Sequence, residues 1–181
     1  MFISRELKTK NIGEYLLYMW QVEDLIRAYD CNVDRMRDEY VPRFTQYTEA
    51  QQKELIQWYS DLVDMMRREN VLHQGHLQIN KNIIVLLTDL HNEVLKSPKH
   101  PLYSAAYYKA LPFIVEVRNK SGKTDAPELE NCFDVLYGTM LLRLQKKPIS
   151  AETQGALKEI THLISMLSGY YQQEKEGKLE L

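Results

Sequence analysis

Glu23 occupies the most chemically demanding position in the chain. On a helical wheel of about 100° per residue it falls between Ile12 and Leu16, within an arc of otherwise apolar side chains. A carboxylate there is costly unless it is paired or hydrogen-bonded, so the sequence requires a partner for it. One use is a tuned acid or a ligand-binding carboxylate, with Trp20 and Tyr59 as the accompanying candidates to line a pocket. The other is a structural pair with an arginine or with one of the 12 tyrosine hydroxyls.

The histidines offer further patterns. Arg68-Glu69-Asn70-Val71-Leu72-His73 is similar to the Arg-x4-His motif of helical HEPN-type ribonucleases. That resemblance implies Arg68 and His73 acting on a scissile phosphate and its 2′-hydroxyl. A continuous helix would place His73 on the stripe of Leu55, Leu62 and Met66, facing inward or into a groove, and Glu69 stands where that family has a neutral polar residue. A helix-end histidine serving the last carbonyls explains His73 better, and no residue is assigned as catalytic. His73 and His76 have i, i+3 metal-ligand spacing, but Gly75 weakens the helix that would align them. Glu159-Ile160-Thr161-His162 has the Glu-x-x-His spacing of di-iron bundles, yet such a site needs two of these motifs and His162 lies opposite the apolar stripe. Ser121-Gly122-Lys123-Thr124 ends like a phosphate-binding loop, but Val117 stands where the leading glycine belongs, so it reads as a turn. No metal and no cofactor are expected.

The elements that must position these groups are helical. Asn11–Asp30 carries an apolar arc of about 220°, wide enough to pack on two sides. Asn11 and Glu14 have capping-box spacing. Asn32–Tyr40 reads as a short polar helical piece closed by Val41-Pro42. Thr48-Glu49-Ala50-Gln51 is a second capping box, followed by the stripe Leu55, Tyr59, Leu62, Met66 on a helix expected to reach Leu72 and stop at Gly75. A helix over His76–Lys96 is apolar nearly all round at Ile83–Leu87, which makes it either a central helix or a subunit interface.

Pro101 or Leu102 opens a helix kinked at Pro112, and Asn119–Thr124 reads as a loop. Asp125 is expected to cap the next helix, with Pro127 in its first turn and Leu129, Phe133, Leu136, Tyr137, Met140 and Leu144 as its stripe. Ser150 caps the last helix, whose stripe is Leu157, Ile160, Ile164, Leu167 and Tyr171, with a polar, fraying tail from Gln172. The reading is all-α: a single-domain antiparallel bundle of about six helices over residues 1–181.

Composition narrows the function classes. Across 181 residues, 23 basic and 25 acidic side chains leave a net charge of −2, which argues against a nucleic-acid binder relying on bulk charge. No run approaches the ~20 apolar residues that span a bilayer, and the start has neither the basic nor the apolar region of a signal peptide. Two cysteines, Cys31 and Cys132, form no Cys-x-x-Cys pattern and read as free thiols. A cytoplasmic location is expected, with no membrane partner.

The stretch Asn11-Ile12-Gly13-Glu14-Tyr15-Leu16-Leu17-Tyr18-Met19-Trp20-Gln21-Val22-Glu23-Asp24-Leu25-Ile26-Arg27, with the Met-Phe-Ile start and the length, resembles the domain-of-unknown-function 4924 family of Bacteroidetes bacteria. The resemblance implies a cytoplasmic, all-helical bacterial protein and supplies no catalytic residues. The function expected is a non-enzymatic interaction or ligand-sensing module, a homodimer with a protein or small-molecule partner. The alternative is a HEPN-like ribonuclease using Arg68 and His73.

Overall fold

The computed structural model describes residues 1–121 and 126–181. The described residues are helical, with no strand among them. The six principal helices are α2 (Ile12–Ala28), α4 (Glu49–Arg68), α5 (Gln78–Lys96), α6 (Pro101–Ser121), α7 (Glu128–Leu144) and α8 (Ala151–Lys175). Two more elements supplement them: α1 (Phe2–Lys10), which the sequence reading did not anticipate, and the single turn α3 (Val33–Arg35). α1 is mostly exposed, so it lacks the apolar stripe that marks the others. Past α3 the chain continues as a π turn at Met36–Tyr40 and a 3₁₀ turn at Val41–Arg43, which accommodates Pro42 instead of ending before it.

The chain forms two compact units. The first comprises Met1–Glu6 and Tyr18–Asn82, the second Leu7–Leu17 and Ile83–Leu181. Helix α2 contributes to both, which accounts for its wide apolar arc: Ile12, Leu16, Met19, Trp20, Val22 and Ile26 are all buried. In the first unit α4 packs against α3 and the 3₁₀ turn, beside an aromatic cluster in which Tyr40 meets Tyr29, Phe44 and Tyr59. In the second, α6 packs on α7 and α8 around Tyr103, Ile114, Phe133, Ile160 and Leu163. Helix α5 is not central, because Val85 and Leu86 are more than half exposed while Ile84, Leu87, Leu90 and Val94 are buried.

Helix starts follow local chemistry. Thr48 and Gln51 form the full capping box, Ser150 Oγ accepts from Thr153 N at 3.2 Å, and Asn11 Oδ1 accepts from Glu14 N at 3.1 Å. Pro127, not a first-turn residue, precedes α7 as its cap; the capping role expected of Asp125 lies outside the described residues. Helix α6 runs unbroken through Pro112 to Ser121, so Asn119 and Lys120 are helical and not part of a loop. The turn expected at Gly122–Thr124 also lies outside the described residues. Helix α8 continues past Gln172 to Lys175.

Helix ends share one device. α2, α4, α7 and α8 each close with a paired 5→2 and 6→1 hydrogen bond around a left-handed residue. Those residues are Asp30 (φ 56°), Asn70 (φ 57°), Lys146 (φ 55°) and Gly177 (φ 67°). Only the last is glycine. Helix α4 therefore stops at Arg68, with Val71 N bonded to Met66 O, and not at Leu72 as the stripe suggested. A lysine in this conformation costs about 1 kcal/mol relative to glycine. Lys146→Gly, at an exposed position, is expected to raise the unfolding free energy by about 0.5–1 kcal/mol, read as a higher thermal midpoint. No gain would mean that Lys146 makes contacts offsetting its strain.

Candidate functional site

The stop at Asn70 sets up the junction where Glu23 sits. It leaves Val71–Leu77 as a connection into α5, and side chains of α2 hold that connection at two places. Arg27 Nη2 donates to the carbonyls of Val71 (3.0 Å) and Gly75, while its Nη1 pairs with Asp24 at 2.8 Å. One turn earlier, Glu23 is 0% exposed and accepts three hydrogen bonds. His76 Nδ1 lies 2.6 Å from Oε2, and Oε1 receives Leu77 N (2.9 Å) and Asn80 Nδ2 (2.6 Å). A carboxylate has no proton to give, so the imidazole Nδ1 carries the hydrogen.

Leu77 opens α5, because its carbonyl accepts from Asn80 N and Lys81 N. Glu23 thus satisfies an amide at the helix start, and Glu69 satisfies the next, accepting from Gln78 N at 2.6 Å. Two carboxylates at a helix N-terminus also complement its dipole. The imidazole of His76 completes the junction by stacking on Trp20, with centroids 4.0 Å apart and planes 13° apart.

The partner that Glu23 requires is therefore neither an arginine nor a tyrosine. It is a histidine, an asparagine and a backbone amide. Trp20 (1% exposed), Glu23 and Tyr59 (2% exposed) are all interior, and none lines a cavity among those described. Tyr59 instead packs edge-on against Tyr40 within the aromatic cluster, and burial pushes its phenol far up. The arrangement orients an imidazole on a buried carboxylate and ties α2 to the start of α5.

Arg68 and His73 fare differently from the expectation of one continuous helix. Both are exposed, with the left-handed Asn70 and the start of the connection between them. His73 borders a depression with Arg27, Asp30, Cys31 and Leu72, and Arg68 does not. His76 faces Glu23 instead of pairing with His73, and Glu159 bridges to Lys109 at 3.1 Å. No group of three or more metal-ligating side chains occurs among the described residues.

The family now follows from the whole chain. The family described as Domain of unknown function (DUF4924) matches residues 1–178. The chain belongs to that family. No curated protein and no solved structure matches the chain. What a DUF4924 protein does must therefore be argued from its own residues. No helix among the described residues is long and apolar enough to cross a membrane.

Sequence reasoning missed a buried histidine. His91, 6% exposed, sits 2.6 Å from the Tyr103 hydroxyl and edge-on to Tyr107, which itself donates to Glu128. Burial holds its pKa below the ordinary histidine value, opposed in part by the charge of Glu128. The unfolded chain thus binds the proton more readily, so this contribution to stability is complete above about pH 6.5 and is lost as pH falls below it. Urea midpoints should drop between about pH 7.5 and 5.5, and His91→Gln should flatten that segment. An unchanged slope in the variant would remove His91 as its source.

Proposed function

We propose that this DUF4924 protein is a non-enzymatic interaction module that works as a homodimer through the outer face of α6. One observation carries the reading. Pro101, Ala105, Tyr108, Pro112, Val115 and Asn119 recur at alternating steps of four and three residues, and all are exposed. Tyr108 is 65% exposed, Val115 47% and the adjoining Leu102 76%, while the opposite face of α6 buries Tyr103, Ala106, Ala110 and Ile114. Such a seam normally lies against another helix.

A second copy suits it because the seam is self-complementary. Laid antiparallel about a twofold axis near the Leu111–Pro112 bond, each copy's Tyr108 meets the other's Val115, a large side chain against a small one. A net charge of −2 offers little repulsion between copies. Exposed Val85 and Leu86 on α5 provide further apolar surface for a partner. The reading takes the protein as cytoplasmic, supported by two free thiols; burial pushes the Cys132 thiol up to about 12, far from reactive.

Sedimentation velocity tests it. The wild type should run as a dimer, and Leu102→Glu with Val115→Glu should weaken dimerisation at least about tenfold without loss of helicity, since both positions are exposed. A monomeric wild type at about 100 μM, or a dimer indifferent to both charges, would overturn it.

A further inference from the structure

Within the second unit, a cavity of about 320 Å³ lies among the first turns of α2 and the facing sides of α7 and α8. Its floor is apolar, built by Leu17, Leu136, Met140, Leu157 and Ile164. Glu14 and Arg143 bring opposite charges to its edge. Both are exposed, and neither forms an ion pair with another described residue. Their places near a helix start and a helix end suit the helix dipoles, but that role does not explain why both charges border one apolar cavity without meeting.

Ser168 supplies an independent sign. It lines the same cavity, is only 6% exposed, and its hydroxyl has no hydrogen-bond partner among the described residues. A buried helical hydroxyl ordinarily returns to the carbonyl one turn back, as Thr139 does to Val135 at 2.7 Å. Ser168 keeps its hydroxyl free beside Gly13, where a Cβ would come within 2.9 Å of it. Glycine at that position therefore leaves the hydroxyl room that any other residue would fill. The oxygen itself is not fully enclosed, so the hydroxyl opens on the cavity and is available to a ligand there.

We propose that this cavity binds an amphipathic zwitterion, with its ammonium at Glu14, its carboxylate at Arg143 and its apolar body on the Leu–Met–Ile floor. An apolar α-amino acid or a short apolar peptide with free termini has this chemistry. The guanidinium reads a carboxylate through paired N–H donors, and the Ser168 hydroxyl completes the polar end of the ligand. The volume is at the small end of ligand sites, which suits one or two residues and not a larger cofactor. A nucleotide is disfavoured by Glu14, which would repel its phosphates. The α6 seam contributes nothing to this cavity, so the site stands apart from the dimer reading.

The test is calorimetric titration of the full chain with L-methionine and with L-leucyl-L-leucine, each also N-acetylated and each as its C-terminal amide. The Met140 methyl resonance, assigned through Met140→Leu, reports whether binding occurs at this cavity. A free form should bind with a dissociation constant of about 1 mM or tighter, and each blocked form about tenfold more weakly. Glu14→Gln should abolish the penalty for acetylation only, and Arg143→Gln the penalty for amidation only. Binding of methionine alone would identify a free amino acid as the ligand; binding of the dipeptide alone would identify peptide termini. If neither free form shifts the Met140 methyl at about 10 mM, or if blocking the termini leaves affinity unchanged, the proposal is overturned.

Discussion

Glu23→Leu is expected to lower the unfolding free energy by about 3–5 kcal/mol, and Glu23→Gln by only about 1–2 kcal/mol. Leucine removes the acceptor for three donors at once: the His76 ring, the Leu77 amide and the Asn80 side chain. Each donor left buried and unmade costs about 1–3 kcal/mol, though His76 is partly exposed and recovers water. Glutamine is milder because the junction can rewire. Its carbonyl takes the place of Oε1 for Leu77 and Asn80, and its amide donates to His76 once the imidazole proton moves to Nε2. What glutamine cannot replace is the negative charge at the start of α5. Urea denaturation of both variants reads the difference, and hydrogen exchange at the Leu77 amide localises it. A leucine variant within about 1 kcal/mol of the wild type would show that Glu23 is not the staple of this junction.

The unequal legibility of this site has a physical cause. That Glu23 must be satisfied was readable, because burial of a helical residue follows from its angular position among neighbours in sequence. The identity of its partners was not, because they depend on where α4 ends. That end is set by a left-handed asparagine, and no rule based on glycine points to Asn70 any more than to Asp30 or Lys146. Helix starts were readable for the opposite reason: Thr48, Ser150 and Asn11 act on amides three residues away, so their chemistry is local. The wheel that marked Glu23 also holds Asn80 and His91 on the buried face of α5 with Ile84, Leu87 and Val94, and applied there it would have found both. Nothing comparable announces Glu14 and Arg143. They lie far apart in sequence and become neighbours of one cavity only through the packing of α2, α7 and α8.

Trp20→Ala is expected to cost about 3–5 kcal/mol, comparable with the loss of Glu23 but for a different reason. The indole is 1% exposed, so truncation forfeits its burial and leaves a void that packed helices close only in part. It also removes the face on which His76 stacks at 4.0 Å. If the stack orients the imidazole toward Glu23, Trp20 and His76 must be energetically coupled. A double-mutant cycle of Trp20→Ala with His76→Ala should then show about 1 kcal/mol of interaction. A ligand-binding role for Trp20 predicts something else: a small stability cost in the free protein and a loss confined to ligand-stabilised protein. The burial favours the structural outcome, and additivity of the two substitutions would show that ring stacking contributes nothing beyond the area each residue buries.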